Sequence, residues 1–403
     1  MEKSSVMLNA DSTAKLLEHM YNNNKMLVNK GQHPVSIEIQ GEAGIGKTTM
    51  IRDFARKHNM EFVKLQLPQL EELSDLVGYP VKQFEMSKNV DGADKSEWVD
   101  DLATTEFAQA GYKFTGRKRM SYAAPEWIAG KEDKDVLLCL DDYTRADPRF
   151  ITASMELVNE QSYMSWKLPK STLIVLSANP DNGNYNVNSQ DSAQRTRFIS
   201  VNMKWDVDCW ARWAEHEGID SRCINFLLLN SEVVTKNENV NARAITMFFK
   251  SIASIEDYDN NENLALIRML GDAAVGSEVS QLFTTFITNK LDKLITPKDM
   301  MTGEKDRVFN MIKSSIGDRQ TQGYRADIAS VLCTRALNYT AELVENGEKI
   351  DDKYVDRVID LISSDLFTND LQMFLSVKIF AVDNRKFTKM LMNPTVRKHI
   401  TKS

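Results

Sequence analysis

The chain has little from which a metal centre or a disulfide framework could be built. Its four cysteines, Cys139, Cys209, Cys223 and Cys333, stand far apart, and no two form a C-x-x-C pair. Neither a zinc site nor a disulfide scaffold is expected from that spacing. Cys139 lies inside an apolar run and reads as a small core residue. The five histidines, His19, His33, His58, His216 and His399, are equally scattered, with no H-E-x-x-H and no triad neighbourhood, so none is assigned chemistry. No apolar run reaches the roughly 18 residues of a membrane span, and no apolar signal core follows Met1 to Ser5. A soluble, cytoplasmic protein is the expectation. A surplus of positive charge is missing too, since 50 Lys and Arg face 57 Asp and Glu for a net charge of −7. Dedicated nucleic-acid binders need a basic surface, so the balance argues against that class while leaving room for a local basic stripe. What remains is an ordinary globular composition, 42% hydrophobic and 27% charged, in 403 residues, enough for two or three domains.

What the chain does contain is the run Gly41-Glu42-Ala43-Gly44-Ile45-Gly46-Lys47-Thr48, followed by Thr49, which fits G-x-x-x-x-G-K-[ST] at every fixed position. Glycines let backbone N–H groups converge on nucleotide phosphates without a side chain in the way. Lys47 can reach the β- and γ-phosphates as a point charge, and the Thr48 hydroxyl can take a place on Mg²⁺. Val35 to Ile39 alternates like a strand before this loop, and Met50 to Arg56 reads as a helix after it. The helix start would bring its positive dipole end to the phosphates. ATP with Mg²⁺ is the expected cofactor pair.

From about 35 to 203 short apolar runs alternate with helical stretches, the pattern of a parallel sheet with helices on its faces. Candidate strands are 35–39, 61–65, 136–140, 172–177 and 198–203, and residues 1–33 read as a helical lead-in. The segment 81–125, which carries Asp91-Gly92 and Tyr112 to Met120, breaks the alternation and reads as an insertion with a hairpin. Past 205 apolar residues recur at helical spacing through 207–230, 240–255, 264–292, 305–316, 326–345 and 354–362. The expected organisation is an α/β nucleotide-binding domain over 1–204, an α-helical lid over 205–292 and a C-terminal helical region over 293–403.

A phosphate loop needs a second element to hold Mg²⁺ and activate water. The buried-strand pattern Val136 to Leu140 ends in Asp141 and Asp142, at the edge where ligands sit in open parallel sheets. Asp141 is expected on the metal, Asp142 on the attacking water. The run Leu173 to Ala178 ends in Asn179, whose amide can donate to the γ-phosphate. Arg195 and Arg197 flank one residue directly before an apolar strand, and either could offer a guanidinium to a neighbouring subunit's γ-phosphate. Arg197, just before Phe198, is favoured. Arg243, in Asn241-Ala242-Arg243 at the start of a helix, could reach back to the same phosphates.

Taken in order, these elements resemble an AAA+ ATPase: Walker A, Walker B, sensor 1, arginine finger and sensor 2. Within that superfamily the chain is similar to MoxR-like ATPases. Leu140-Asp141-Asp142-Tyr143-Thr144-Arg145-Ala146-Asp147-Pro148 resembles "LDEINRAxP", and Ser177-Ala178-Asn179-Pro180 with Tyr185-Asn186-Val187 resembles "ATxNP…Y.V". Asp191-Ser192-Ala193-Gln194 with Arg197-Phe198 is similar to "LDxAxxDRF", and Asp75 to Pro80 to "DLxGxP". The resemblance covers about residues 30–290. It implies ATP hydrolysis by a homo-oligomeric, hexameric ring that remodels protein partners, often beside a von Willebrand A domain protein. Two departures stand out: Asp142 replaces the family's usual Glu, and Gln190 replaces its Leu. A slow ATP switch and a DNA-handling motor are the alternatives. The second rests on Lys113, Arg117, Lys118 and Arg119, interleaved with Tyr112, Phe114 and Tyr122. That mixture suits a single nucleic-acid strand, a pore gripping acidic polypeptide, or a solvated hairpin.

Overall fold

The computed structural model describes residues 6–90, 93–183, 185–188, 191–235, 240–258, 260–288, 294–345 and 347–401. Two compact units divide the chain, Met1–Lys204 and Trp205–Ser403. The strands, in chain order, are β1 (Met7–Leu8), β2 (Ser36–Gln40), β3 (Glu61–Gln66), β4 (Tyr79–Val90), β5 (Ala93–Asp100), β6 (Lys113–Ala123), β7 (Val136–Asp141), β8 (Ser162–Tyr163), β9 (Trp166–Lys167), β10 (Leu173–Ala178) and β11 (Phe198–Met203).

Six strands form one sheet in the order β1-β11-β2-β10-β7-β3, and every pair in it is parallel. Period-2 alternation sends neighbouring side chains to opposite faces, and two separate cores result. Leu137 and Cys139 of β7 and Leu173 and Val175 of β10 pack with Leu17, Ile51 and Phe54 of the helices Ala10–Asn29 and Lys47–Lys57. Leu138, Leu140, Ile174 and Leu176 pack on the other face with Phe150, Met155 and Leu157 of the helix Pro148–Glu160. Coverage on both faces is why these strands read as unbroken apolar runs. The fold class is therefore α/β, a parallel sheet flanked by helices and followed by a helical C-terminal region.

Three details differ from the sequence reading. The lead-in is not wholly helical: Met7–Leu8 pairs with Asn202 and Met203 and closes one edge of the sheet. The insertion is more than a hairpin: β4, β5 and β6 make a three-stranded antiparallel sheet in the order β5-β4-β6. Asp91 and Gly92 lie outside the described residues. In this sheet the buried Glu85 accepts from Arg117 Nε (2.6 Å) and from Thr115 (2.7 Å). Arg119 donates to Gln83 and lies 4.6 Å from the Trp98 ring centre. Lys118 and Phe114 meet Phe84, and Phe114 is 47% exposed. The third difference concerns the stretch expected to be helical over 264–292. Helix Asn261–Thr288 is broken at Gly276, whose φ of 81° and ψ of 162° are not helical; residues 289–293 are outside the described set.

Among the described residues, the regular elements of the second unit are all helices. One core gathers Phe226, Phe248, Phe249 and Phe283, and a second gathers Ile312, Leu332, Val355 and Phe367. A buried polar contact links elements of both. Arg335, 3% exposed on the helix Ala326–Glu345, donates to Glu215 Oε1 (3.1 Å) and Asn225 Oδ1 (2.8 Å). Burial pushes the Glu215 carboxyl up despite the guanidinium, and lowers Arg335 against the pull of Glu215. Among the described residues no helix is long and apolar enough to cross a membrane.

Candidate nucleotide-binding site

Parallel register brings the C-terminal ends of β2, β10 and β7 side by side. Ala178 pairs with Gln40 and Gln66 with Asp141, and Gly41 N–H donates to Ala178 C=O (3.1 Å). The phosphate loop therefore leaves β2 beside Asn179 and Asp141. Its glycines are needed at two places. A Cβ on Gly41 would sit 2.4 Å from Met203 O, and Gly46, the residue before the helix Lys47–Lys57, has φ +97° with open space where a Cβ would point. The loop can thus present backbone N–H groups and the helix start to an anion.

The side chains behind the loop form a connected set. Lys47, 6% exposed, donates to Gly41 O (2.6 Å), Glu42 O (3.0 Å) and Asn179 Oδ1 (3.1 Å). Asn179 in turn donates to Asp142 Oδ1 (3.1 Å). Thr48 donates to Asp141 Oδ1 (2.9 Å). Lys47, Thr48, Asp141, Asp142 and Asn179 are thus brought together as expected. Asp142 has φ +51°, a left-handed conformation that Asp tolerates better than most residues, and this turns its carboxylate toward Asn179 and Arg145 Nη1 (3.9 Å). Beside it a cavity of about 240 Å³ is lined by Gln66, Pro68, Gln69, Asp142, Arg145 and Asn186.

Other candidates stand differently. Ala43 N–H donates to Tyr185 Oη (3.2 Å), and Tyr185 Oη donates to Glu42 Oε2 (2.5 Å), so Glu42 and Ala43 are pinned from outside the loop. Gly44, Ile45 and Thr49 are half-buried along it. Arg195 ends a short helix, Ser192–Arg195, and both Arg195 and Arg197 are exposed. Arg195 acts on its own chain: its positive charge opposes the rise of the Tyr143 phenol that burial and the nearby Glu38 produce. Arg243 is exposed in the first turn of the helix Ala242–Ser251, in the second unit. Gln190 lies outside the described residues.

Three residues escaped the sequence reading. Lys64, on β3, places Nζ 3.0 Å from Asp141 Oδ2; its one signal was a lone cation amid Phe62-Val63-Lys64-Leu65. Glu38, fully buried in β2, accepts from Tyr143 Oη (2.5 Å), Ser200 Oγ (2.5 Å) and Gln40 Nε2 (2.9 Å). It thereby ties the segment after Asp142 to β11, the strand that Arg197 precedes. Arg145, quoted only as part of a motif, borders Asp142 itself.

Strand order, glycine loop and strand-end acids together make an α/β domain with a G-x-x-x-x-G-K-T loop and two carboxylates at one edge of its sheet. No protein-family model and no curated protein matches the chain. Among solved structures it is similar to a Cytophaga hutchinsonii protein described as a putative ATPase, at 16% identity and a TM-score of 0.28, over 65% of this chain and 67% of that one. It is also similar to RuvB of Thermotoga maritima, at 13% identity and a TM-score of 0.31, over 65% of this chain and 75% of that one. Both likenesses are loose, and the fold assignment rests on the strand order and loop described above.

Proposed function

We propose that this chain is an ATP-hydrolysing AAA+ ring subunit of the MoxR-like kind, hexameric, that remodels or assembles protein partners. The observation that carries the reading is the continuous path Lys47–Asn179–Asp142 beside Thr48–Asp141, all at one sheet edge under one glycine loop. The donor set suits Mg²⁺: a hydroxyl and a carboxylate, both oxygen ligands. Thr48 and Asp141 would hold it, and the ion would offset charge on the phosphate oxygens. Lys47 neutralises the phosphates from inside the loop. Asp142 accepts a proton from, or orients, the attacking water, and Asn179 fixes the direction of that carboxylate. Arg197 is the residue we assign to a neighbouring subunit's γ-phosphate, supported by its exposure just ahead of β11; that role would make the ring part of the chemistry. A von Willebrand A domain protein is the partner type that the motif resemblance suggests.

A slower, switch-like use of ATP is the second reading. Its support is Asp142 itself, a methylene shorter than Glu and already engaged by Asn179 and Arg145. The basic insertion gives a nucleic-acid groove less support than its sequence suggests, because Arg117 pairs with Glu85 and Arg119 with Gln83 and the Trp98 ring. ATP turnover of the purified chain, alone and with single-stranded DNA, separates the readings. The proposal expects basal turnover that DNA does not raise. ATP binding without turnover supports the switch, and strong DNA stimulation supports a DNA motor.

A further inference from the structure

One cation is already seated at the metal end of this site. Lys64 and Asp141 come from adjacent parallel strands, with Lys64 level with Cys139 and Gln66 level with Asp141. Residues two apart share a face, so Lys64 and Asp141 project from the same side of the sheet, one step apart along the strands. The Lys64 ammonium lies 3.0 Å from Asp141 Oδ2, while Thr48 donates to Oδ1. Both carboxylate oxygens are thus occupied by donors of this chain. The Asp141 side chain is 8% exposed, and that of Lys64 is 30% exposed. A carboxylate so buried needs a positive partner or several donors. A flexible four-carbon stem reaching from the sheet edge supplies one that can also withdraw into water.

We infer that Lys64 is a resident counter-cation of the metal site: its ammonium holds Asp141 while no nucleotide is bound, and a divalent cation arriving with ATP must displace it. This rests on the nucleotide-site reading and adds the regulation of that site. Two opposite consequences follow for a variant that lacks the charge but keeps the bulk, Lys64→Met. Without divalent cation, Asp141 keeps the Thr48 hydroxyl but no balancing charge, and its negative charge faces the triphosphate, so metal-free ATP binds more weakly than to the parent. With divalent cation, no other cation competes for Asp141, so the concentration of Mg²⁺ at half-effect falls. Lys64→Arg keeps a cation there and retains the competition.

The experiment is equilibrium binding of a fluorescent ATP analogue to the full chain, first in EDTA and then at rising Mg²⁺, with Mn²⁺ binding followed directly by electron paramagnetic resonance. The ratio of analogue affinity with metal to that without should rise about tenfold in Lys64→Met, the scale of one charged hydrogen bond. The half-effect concentrations of Mg²⁺ and Mn²⁺ should both drop, and Lys64→Arg should stay near the parent. A loss of affinity equal in both conditions makes Lys64 a phosphate contact or a fold support and overturns the inference. Unchanged metal dependence in Lys64→Met overturns it as well. If the parent binds the analogue in neither condition, the nucleotide reading itself falls and takes this inference with it.

Discussion

Replacing Asn179 with alanine removes the link between Lys47 and Asp142 while leaving both charges in place. Lys47 keeps the carbonyls of Gly41 and Glu42 at 2.6 and 3.0 Å, so its ammonium is not stranded. Asp142 has a side chain 34% exposed, so water can replace the lost amide. The cost to stability should therefore be small, about 1 kcal/mol, the net worth of an ordinary hydrogen bond. Catalysis should suffer more. A carboxylate free to rotate spends little time aimed at the water, and loss of one oriented polar group in an active site typically costs about 10²–10³ in rate. The assay is single-turnover ATP cleavage beside equilibrium binding of the same nucleotide. Turnover should fall by about two orders of magnitude, with affinity changed only severalfold. Should Asn179→Ala turn over within twofold of the parent, or lose affinity as severely as Lys47→Ala, the amide is not holding Asp142 and the reasoning fails.

Asp142→Asn should bind ATP yet cleave it about 10²–10⁴-fold more slowly, whereas Asp142→Glu should keep or raise the rate; parent-like hydrolysis by Asp142→Asn would reduce Asp142 to a turn former. Arg197→Ala and Lys47→Ala subunits, each inactive alone, should recover part of the ATPase activity when mixed, because some interfaces pair an intact loop with an intact finger; mixed rings that stay inactive would exclude Arg197 as that finger. Arg335→Met should destabilise the protein by about 3–5 kcal/mol, since Glu215 is then left buried without its partner, and chemical denaturation reads this directly. Acid sensitivity should depend on Asp220. Burial pushes its carboxyl up, but the hydrogen bonds from Arg222 outweigh that and hold it below its usual 3.8. Its contribution is therefore complete above 3.8 and is lost as pH falls from there through the lowered folded value. Asp220→Asn should flatten that part of the stability–pH curve, and an unchanged acid limb would assign the loss to other carboxylates.

The sequence alone determined the features whose physics is local. A phosphate loop needs glycines at fixed positions and a Lys-Thr pair at the helix start, and Gly41 to Thr48 displays all of them within eight consecutive residues. Strands covered on both faces favour apolar residues along most of their length, so β7 and β10 were legible as runs, and the acids and amide at their ends followed by position. Tertiary structure decided where polar side chains within those strands find partners. Glu38 sits in an alternating run that shows nothing of its partners, yet it is fully buried and its charge is met by Tyr143 and Ser200 from distant parts of the chain. Lys64 meets Asp141, and Glu85 takes Arg117 out of an apparent basic stripe. Spacing cannot reveal such pairs, because strand order decides which residues become neighbours and burial then obliges each polar group to bond with whatever that order brings near.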